Sequence, residues 1–189
     1  TNGKMALTGS SDLTCILWDL TSGKSLQTLK GHTGGIYSVA ITPDGERAIS
    51  GSADKNASYR SATGKALLTL IGHTEDVNSV AITPDGRKAI SGSSDNTCII
   101  WDLTTGESIH ILKGHTFWIT SVAITSNGEK ALTGSSDKTC ILWDLERGEE
   151  LKKLEKHTND ISSVAITPNG EVGLTGSFDG TCILWDLTT

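Results

Sequence analysis

Short apolar runs alternate with clusters of Gly, Pro, Asp, Asn and Ser along the whole chain. One stretch shows the pattern. Val80-Ala81-Ile82 leads into Thr83-Pro84-Asp85-Gly86, and Ala89-Ile90-Ser91-Gly92-Ser93 leads into Asp95. Thr97-Cys98-Ile99-Ile100-Trp101 and Ser108-Ile109-His110-Ile111-Leu112 flank the turn Thr104-Thr105-Gly106. Each run is rich in β-branched residues and bounded by turn residues, which predicts four short strands. Pro presets φ in the Pro-Asp-Gly turn, and Gly accepts positive φ. The run before Trp101 is apolar on nearly every residue, so its sheet is expected to be covered on both faces. No window carries a helical period over ten or more residues.

The pattern recurs. Trp-Asp stands at Trp101-Asp102, Trp143-Asp144 and Trp185-Asp186, 42 residues apart, and earlier at Trp18-Asp19. Gly31-His32, Gly72-His73 and Gly114-His115 each begin 13 residues after the preceding unit's Trp position, while Lys156-His157 keeps the spacing without the Gly. A period near forty residues signals an array of equal structural units. In these marks the chain resembles the WD-repeat family over its whole length. The resemblance implies an all-β fold, a β-propeller of four-stranded antiparallel blades. The units read as 1–30 (partial), 31–71 (degenerate), 72–113, 114–155 and 156–189 (partial). That makes about four and a half units, or 18 strands, of what looks like a larger ring or array.

The resemblance also implies a buried hydrogen-bonded tetrad in each blade. The matching residues are His73, Ser91, Asp95 and Trp101; His115, Thr133, Asp137 and Trp143; and His157, Thr175, Asp179 and Trp185. A Trp N–H only donates, a hydroxyl gives and accepts, and an ionised Asp accepts, so the four can chain without an unpaired atom. Ser, His and Asp together invite a hydrolase reading. The trio repeats once per unit, however, and no Gly-x-Ser-x-Gly elbow is present, so the tetrad reads as scaffold and the chain as no enzyme. Cys15, Cys98, Cys140 and Cys182 each lie three residues before a Trp and read as small buried apolar residues, not a metal or disulfide set. Ser22-Gly23-Lys24-Ser25 lacks the upstream Gly of a phosphate loop, and no cofactor is expected.

The formal charge is −6 with scattered Lys and Arg, so no basic stripe points to nucleic acid. No apolar run approaches a membrane span, and no signal peptide is visible. Together with free thiols this predicts a cytoplasmic protein. The only Met is Met5, and Thr1 aligns with Pro168. The chain stops at Thr189, just past a third strand, and cut ends favour self-association to complete the ring.

Two departures from the repeat stand out. Ser52 to Arg60 reads as one residue short, with Tyr59-Arg60 in place of Trp-Asp. This predicts a weaker, bulged third strand with Tyr59 partly filling the Trp site, beside an intact His32, Ser50 and Asp54. The second departure is aromatic. Tyr37, Phe117, Trp118 and Phe178 are not called for by the repeat. By the resemblance, these positions lie on the rim that carries the tetrad Asp turns. They form a candidate surface for a protein or peptide partner, with Asp76 and Asp160 as acidic rim residues. His110, the only His outside a tetrad position, reads as a solvated residue on an outer strand. The expected function is a non-catalytic protein-interaction scaffold. The alternative is a sensor or regulatory module of a larger bacterial NTPase or kinase, because the near-identical units resemble bacterial arrays.

Overall fold

The computed structural model describes residues 3–188; Thr1, Asn2 and Thr189 lie outside them. The described residues form five antiparallel sheets and no helix. The first sheet has three strands, β1 (Met5–Gly9), β2 (Cys15–Asp19) and β3 (Lys24–Leu29). The second holds β4 (Ile36–Ile41), β5 (Arg47–Ser52), β6 (Asn56–Ser61) and β7 (Ala66–Ile71). The third holds β8 (Val77–Ile82), β9 (Lys88–Ser93), β10 (Thr97–Asp102) and β11 (Ser108–Lys113). The fourth holds β12 (Ile119–Ile124), β13 (Lys130–Ser135), β14 (Thr139–Asp144) and β15 (Glu149–Glu155). The last holds β16 (Ile161–Ile166), β17 (Val172–Ser177) and β18 (Cys182–Asp186). In every sheet the strands pair in chain order, so each sheet is a meander.

Successive sheets pack face to face. Ile90, Cys98, Ile100 and Leu112 of the third sheet meet Ile119, Val122, Ala131, Ile141 and Trp143 of the fourth. These third strands are buried on both faces, which is why they are apolar at nearly every position. The approach is close at the second strand. A Cβ on Gly134 would lie 2.6 Å from Ile161 Cγ2 of the next sheet, so only glycine lets the sheets meet there. The first strands of successive sheets lie side by side along the inner edge. Each has a register shift near its start, between Ile36/Ser38, Val77/Ser79, Ile119/Ser121 and Ile161/Ser163. Such a bulge leaves one residue unpaired and re-aims its side chain. The Ser that follows ties the array together. Ser38, Ser79 and Ser121 hydroxyls accept the N–H of Val80, Val122 and Val164 in the next sheet, each at 3.1 Å.

The second sheet corrects the reading of its third strand. In the third sheet Ala89 pairs with Trp101 and Ile90 with Ile100. In the second, Ala48 pairs with Arg60 and Ile49 with Tyr59. Arg60 therefore holds the Trp position, and Tyr59 holds the position of Ile100. Strand β6 pairs with β5 without interruption, and its irregularity toward β7 recurs in the other sheets. The missing residue lies in the following turn. Gly106 N–H bonds back to Asp102, four residues away, whereas Gly64 bonds back to Ser61, three away. A turn absorbs a deletion, but a strand cannot without flipping every side chain. Tyr59 faces the third sheet, 1% exposed, and its hydroxyl donates to Gly86 O at 3.2 Å.

Two smaller expectations also change. Cys15, Cys98 and Cys140 are buried free thiols, and burial pushes the Cys140 thiol up to about 12. Cys182 is exposed instead, because among the described residues no sheet packs on that face of β18. His110 is not a fully solvated side chain. It is half-buried, and its Nε2 bonds Glu146 O of the fourth sheet at 3.0 Å.

Candidate functional site

The polar residues divide into those that hold sheets together and those left at the rim. In the third sheet Trp101 Nε1 donates to Ser91 Oγ at 2.8 Å, and Ser91 Oγ lies 2.7 Å from His73 Nε2. His73 Nδ1 lies 2.8 Å from Asp95 Oδ2. Run as indole to hydroxyl to imidazole to carboxylate, the chain uses each donor once. The fourth sheet repeats it through Trp143, Thr133, His115 and Asp137 at 2.9, 2.9 and 2.8 Å. The fifth does so through Trp185, Thr175, His157 and Asp179 at 2.9, 2.7 and 2.7 Å. In the second sheet His32, Ser50 and Asp54 keep their bonds, while Arg60 Nε turns to Ser58 Oγ at 3.1 Å.

Each tetrad Asp also binds the rim backbone. Asp95 accepts the Thr74 and Thr97 N–H groups and the Thr97 hydroxyl. Burial alone would raise its pKa, but the bonds from His73, Thr97 and Thr74 outweigh burial and hold the carboxyl well below the usual range. Asp137 is held low by the same balance of burial against His115, Thr116 and Thr139. At Asp179 the Thr181 hydroxyl is the largest influence and also lowers it. The hydroxyls of Ser91, Thr133 and Thr175 belong to residues with 0% exposure, so none can reach a substrate as a nucleophile.

The four unassigned aromatics are exposed: Tyr37 at 56%, Phe117 at 46%, Trp118 at 50% and Phe178 at 73%. Two backbone features place them. Tyr37 is the unpaired residue of the β4 bulge, equivalent to Asn78 and Thr120. The loop before each first strand is pinned to the turn after the second strand. Ala53, Ser94, Ser136 and Phe178 N–H groups donate to Gly35, Asp76, Trp118 and Asp160 carbonyls, each at 2.9 Å. Tyr37, Asp76 and Trp118 thereby line one open cavity of about 500 Å³, together with Glu75, Asn78 and Ser94. Phe117 stacks on Trp118, with ring centroids 5.0 Å apart at 22°, and so backs the cavity wall.

Phe178 and Asp160 adjoin each other on the fifth sheet and do not line this cavity. The structure thus gathers three of the six rim candidates, supports a fourth and leaves two apart. Asn78 and Ser94 were missed as lining residues. Both look ordinary in sequence, and only the bulge and the pinned loop bring them to the cavity floor, where Asn78 Nδ2 donates to Ser94 Oγ and to Ile119 O, each at 2.9 Å. Among the described residues no group of His, Cys, Asp and Glu could hold a metal ion.

The WD40 family profile, described as WD domain, G-beta repeat, matches residues 23–58, 64–102, 106–144 and 148–186. Those segments cover more than half of the chain, and the chain belongs to the WD40 repeat family. The family unit is offset from the sheet by one strand: residues 64–102 take in β7 and then β8 to β10, so each unit bridges two sheets. The first match stops at residue 58, just before Tyr59-Arg60.

Similar proteins include a guanine nucleotide-binding protein subunit beta of Dictyostelium discoideum, 39% identical over 51 residues, 27% of this chain and 15% of that protein. Pre-mRNA-processing factor 19 of Caenorhabditis elegans is 43% identical over 61 residues, 32% of this chain and 12% of that protein. Guanine nucleotide-binding protein subunit beta-5b of Danio rerio is 43% identical over 54 residues, 28% of this chain and 14% of that protein. The matches span less than a sixth of each relative. None of these three is bacterial, so the bacterial character expected of the repeats finds no support in them.

Proposed function

We propose that this array is a non-catalytic interaction scaffold that seats a protein or peptide partner on the rim around Tyr37, Asp76 and Trp118. The single observation behind this reading is the cavity shared by two exposed aromatics from different sheets, at positions where the other units carry Asn, Thr or Ser and Gly or Asp. Aromatics at the centre of a contact surface supply most of the energy of an interface. Family membership supports a scaffold role, as does the burial of every tetrad hydroxyl. Two of the similar proteins are named as subunits, which fits a part that works inside an assembly.

The test replaces Phe117 and Trp118 with the Glu-Asp found at the same place in the preceding unit, Phe117→Glu with Trp118→Asp. Proteins retained by the parent chain are identified and their affinities for both forms compared. Loss of binding in the double variant, with an unchanged unfolding curve, is the expected result. Equal retention by both forms contradicts the reading.

A further inference from the structure

The cavity is chemically lopsided, and this carries the reading of the rim one step further. Its two aromatic walls come from the sheets on either side of the third. Tyr37 rises from β4 in the second sheet, Trp118 precedes β12 in the fourth, and Glu75, Asp76 and Asn78 of the third sheet lie between them. Among the described residues the rings of Tyr37 and Trp118 do not touch each other, so the space between them is open. Both acids in the lining are carboxylates, and no Lys or Arg lines the space. The half-buried Asp76 carboxylate makes no hydrogen bond or ion pair among the described residues; only its main-chain carbonyl is engaged, by Ser94 N–H. Glu75 is partly answered by Lys55, whose Nζ lies 3.4 Å away. The cavity therefore offers two aromatic side chains, one unanswered negative charge and a second that is half neutralised.

A cation fits that chemistry better than any other group. Ring faces carry negative electrostatic potential and attract ammonium and guanidinium groups. The Asp76 carboxylate adds charge and a hydrogen-bond acceptor. An apolar side chain would leave Asp76 desolvated and unpaired, and an anion would meet two like charges. Tyr37 and Trp118 would also give the long aliphatic stem of a Lys or Arg apolar surface to bury against, which adds to the charge effect. Resting on the proposed rim function, we infer that the partner inserts a Lys or Arg side chain between Tyr37 and Trp118, with its charged head on Asp76.

The probe is a short Gly/Ser peptide with one central Lys, compared with the same peptide carrying Arg, norleucine or Glu there. Binding to the whole chain is followed by the indole N–H resonance of Trp118, identified by its loss in Trp118→Phe. The Lys and Arg peptides are expected to bind roughly 3- to 30-fold more tightly than the norleucine peptide. Asp76→Asn removes that preference and Phe178→Ser leaves it intact. Lys55→Gln frees Glu75 and tightens the cationic peptides, and added salt weakens them. Three results overturn the inference: equal affinity for the Lys and norleucine peptides, no effect of Asp76→Asn, or no binding of the Lys peptide by ~1 mM. The two readings fail separately. Partner binding that is lost in the Phe117→Glu, Trp118→Asp double variant but shows no cation preference removes only the cation. Partner binding that survives the double variant removes the rim itself.

Discussion

The second and fourth sheets have the same four strands, the same bulge at the start of the first strand and the same pairing of second with third strand. They differ at two key side chains. Where the fourth sheet has Trp143, the second has Arg60; where the fourth has Thr120, the second has Tyr37. Trp143 caps a hydroxyl and lies in an extended cluster shared with the third sheet. Arg60 instead turns to the Ser58 hydroxyl on its own strand, and the cluster joining the first and second sheets shrinks to Cys15, Leu29 and Ile36, with Leu7 and Val39 beside it. Thr120 reaches across the rim to the Ile161 carbonyl, and Asn78 makes the same reach to Ile119. Tyr37 stands up into solvent instead.

The backbone thus survives loss of both the Trp and the cross-sheet tie, because register and the His-hydroxyl-Asp bonds already define the sheet. What the repeat can dispense with is free to become specific. Even the space is conserved. The Arg60 guanidinium crowds Gly31 where the Trp101 and Trp143 rings crowd Gly72 and Gly114.

The largest expected effect contrasts the two sheets directly. Trp143→Ala, at a residue 2% exposed, empties the core and removes the indole donor to Thr133, and should cost about 3–5 kcal/mol in chemical unfolding. Arg60→Ala should cost about 1 kcal/mol or less. Comparable losses would mean that Arg60 carries a load its surroundings do not show. Next, Arg60→Trp with Ser58→Ile restores the repeat and should raise stability by about 1–3 kcal/mol. A loss there would show that the first and second sheets cannot accept a standard interface.

Acid provides the third contrast. Unfolded Asp takes up its proton near pH about 3.9, whereas Asp95 and Asp137 stay ionised in the fold to lower pH. Their contribution is whole above about pH 4 and is lost as pH falls through the folded range. Asp95→Asn should lower stability at neutral pH and flatten the acid limb of the stability curve; an unchanged acid limb would contradict the tetrad electrostatics. A small effect is also expected of Tyr59→Phe, which removes the bond donated to Gly86 and the bond accepted from Arg47 and should cost about 1 kcal/mol.

The strands and sheet order were legible because turn residues and β-branched runs alternate so regularly. The misreading at Tyr59 came from treating an aromatic as the natural stand-in for Trp. Register follows strand pairing and not residue likeness, so the deletion belonged in the turn at Ser61 to Gly64. The aromatic half of the cavity was visible as a departure from the repeat. Its floor was not, because Asn78 and Ser94 acquire their place only through the bulge of β8 and the pinned loop at Asp76. The role of His110 was hidden for a similar reason, since its partner Glu146 lies in the next sheet.

The most direct check is to titrate the Lys-bearing peptide against Tyr37→Thr, which gives the second sheet the fourth sheet's tie in place of its ring. If the second sheet exchanges the tie for a binding surface, affinity falls roughly 3- to 30-fold while the unfolding midpoint holds or rises. Undiminished affinity in that variant would contradict the account.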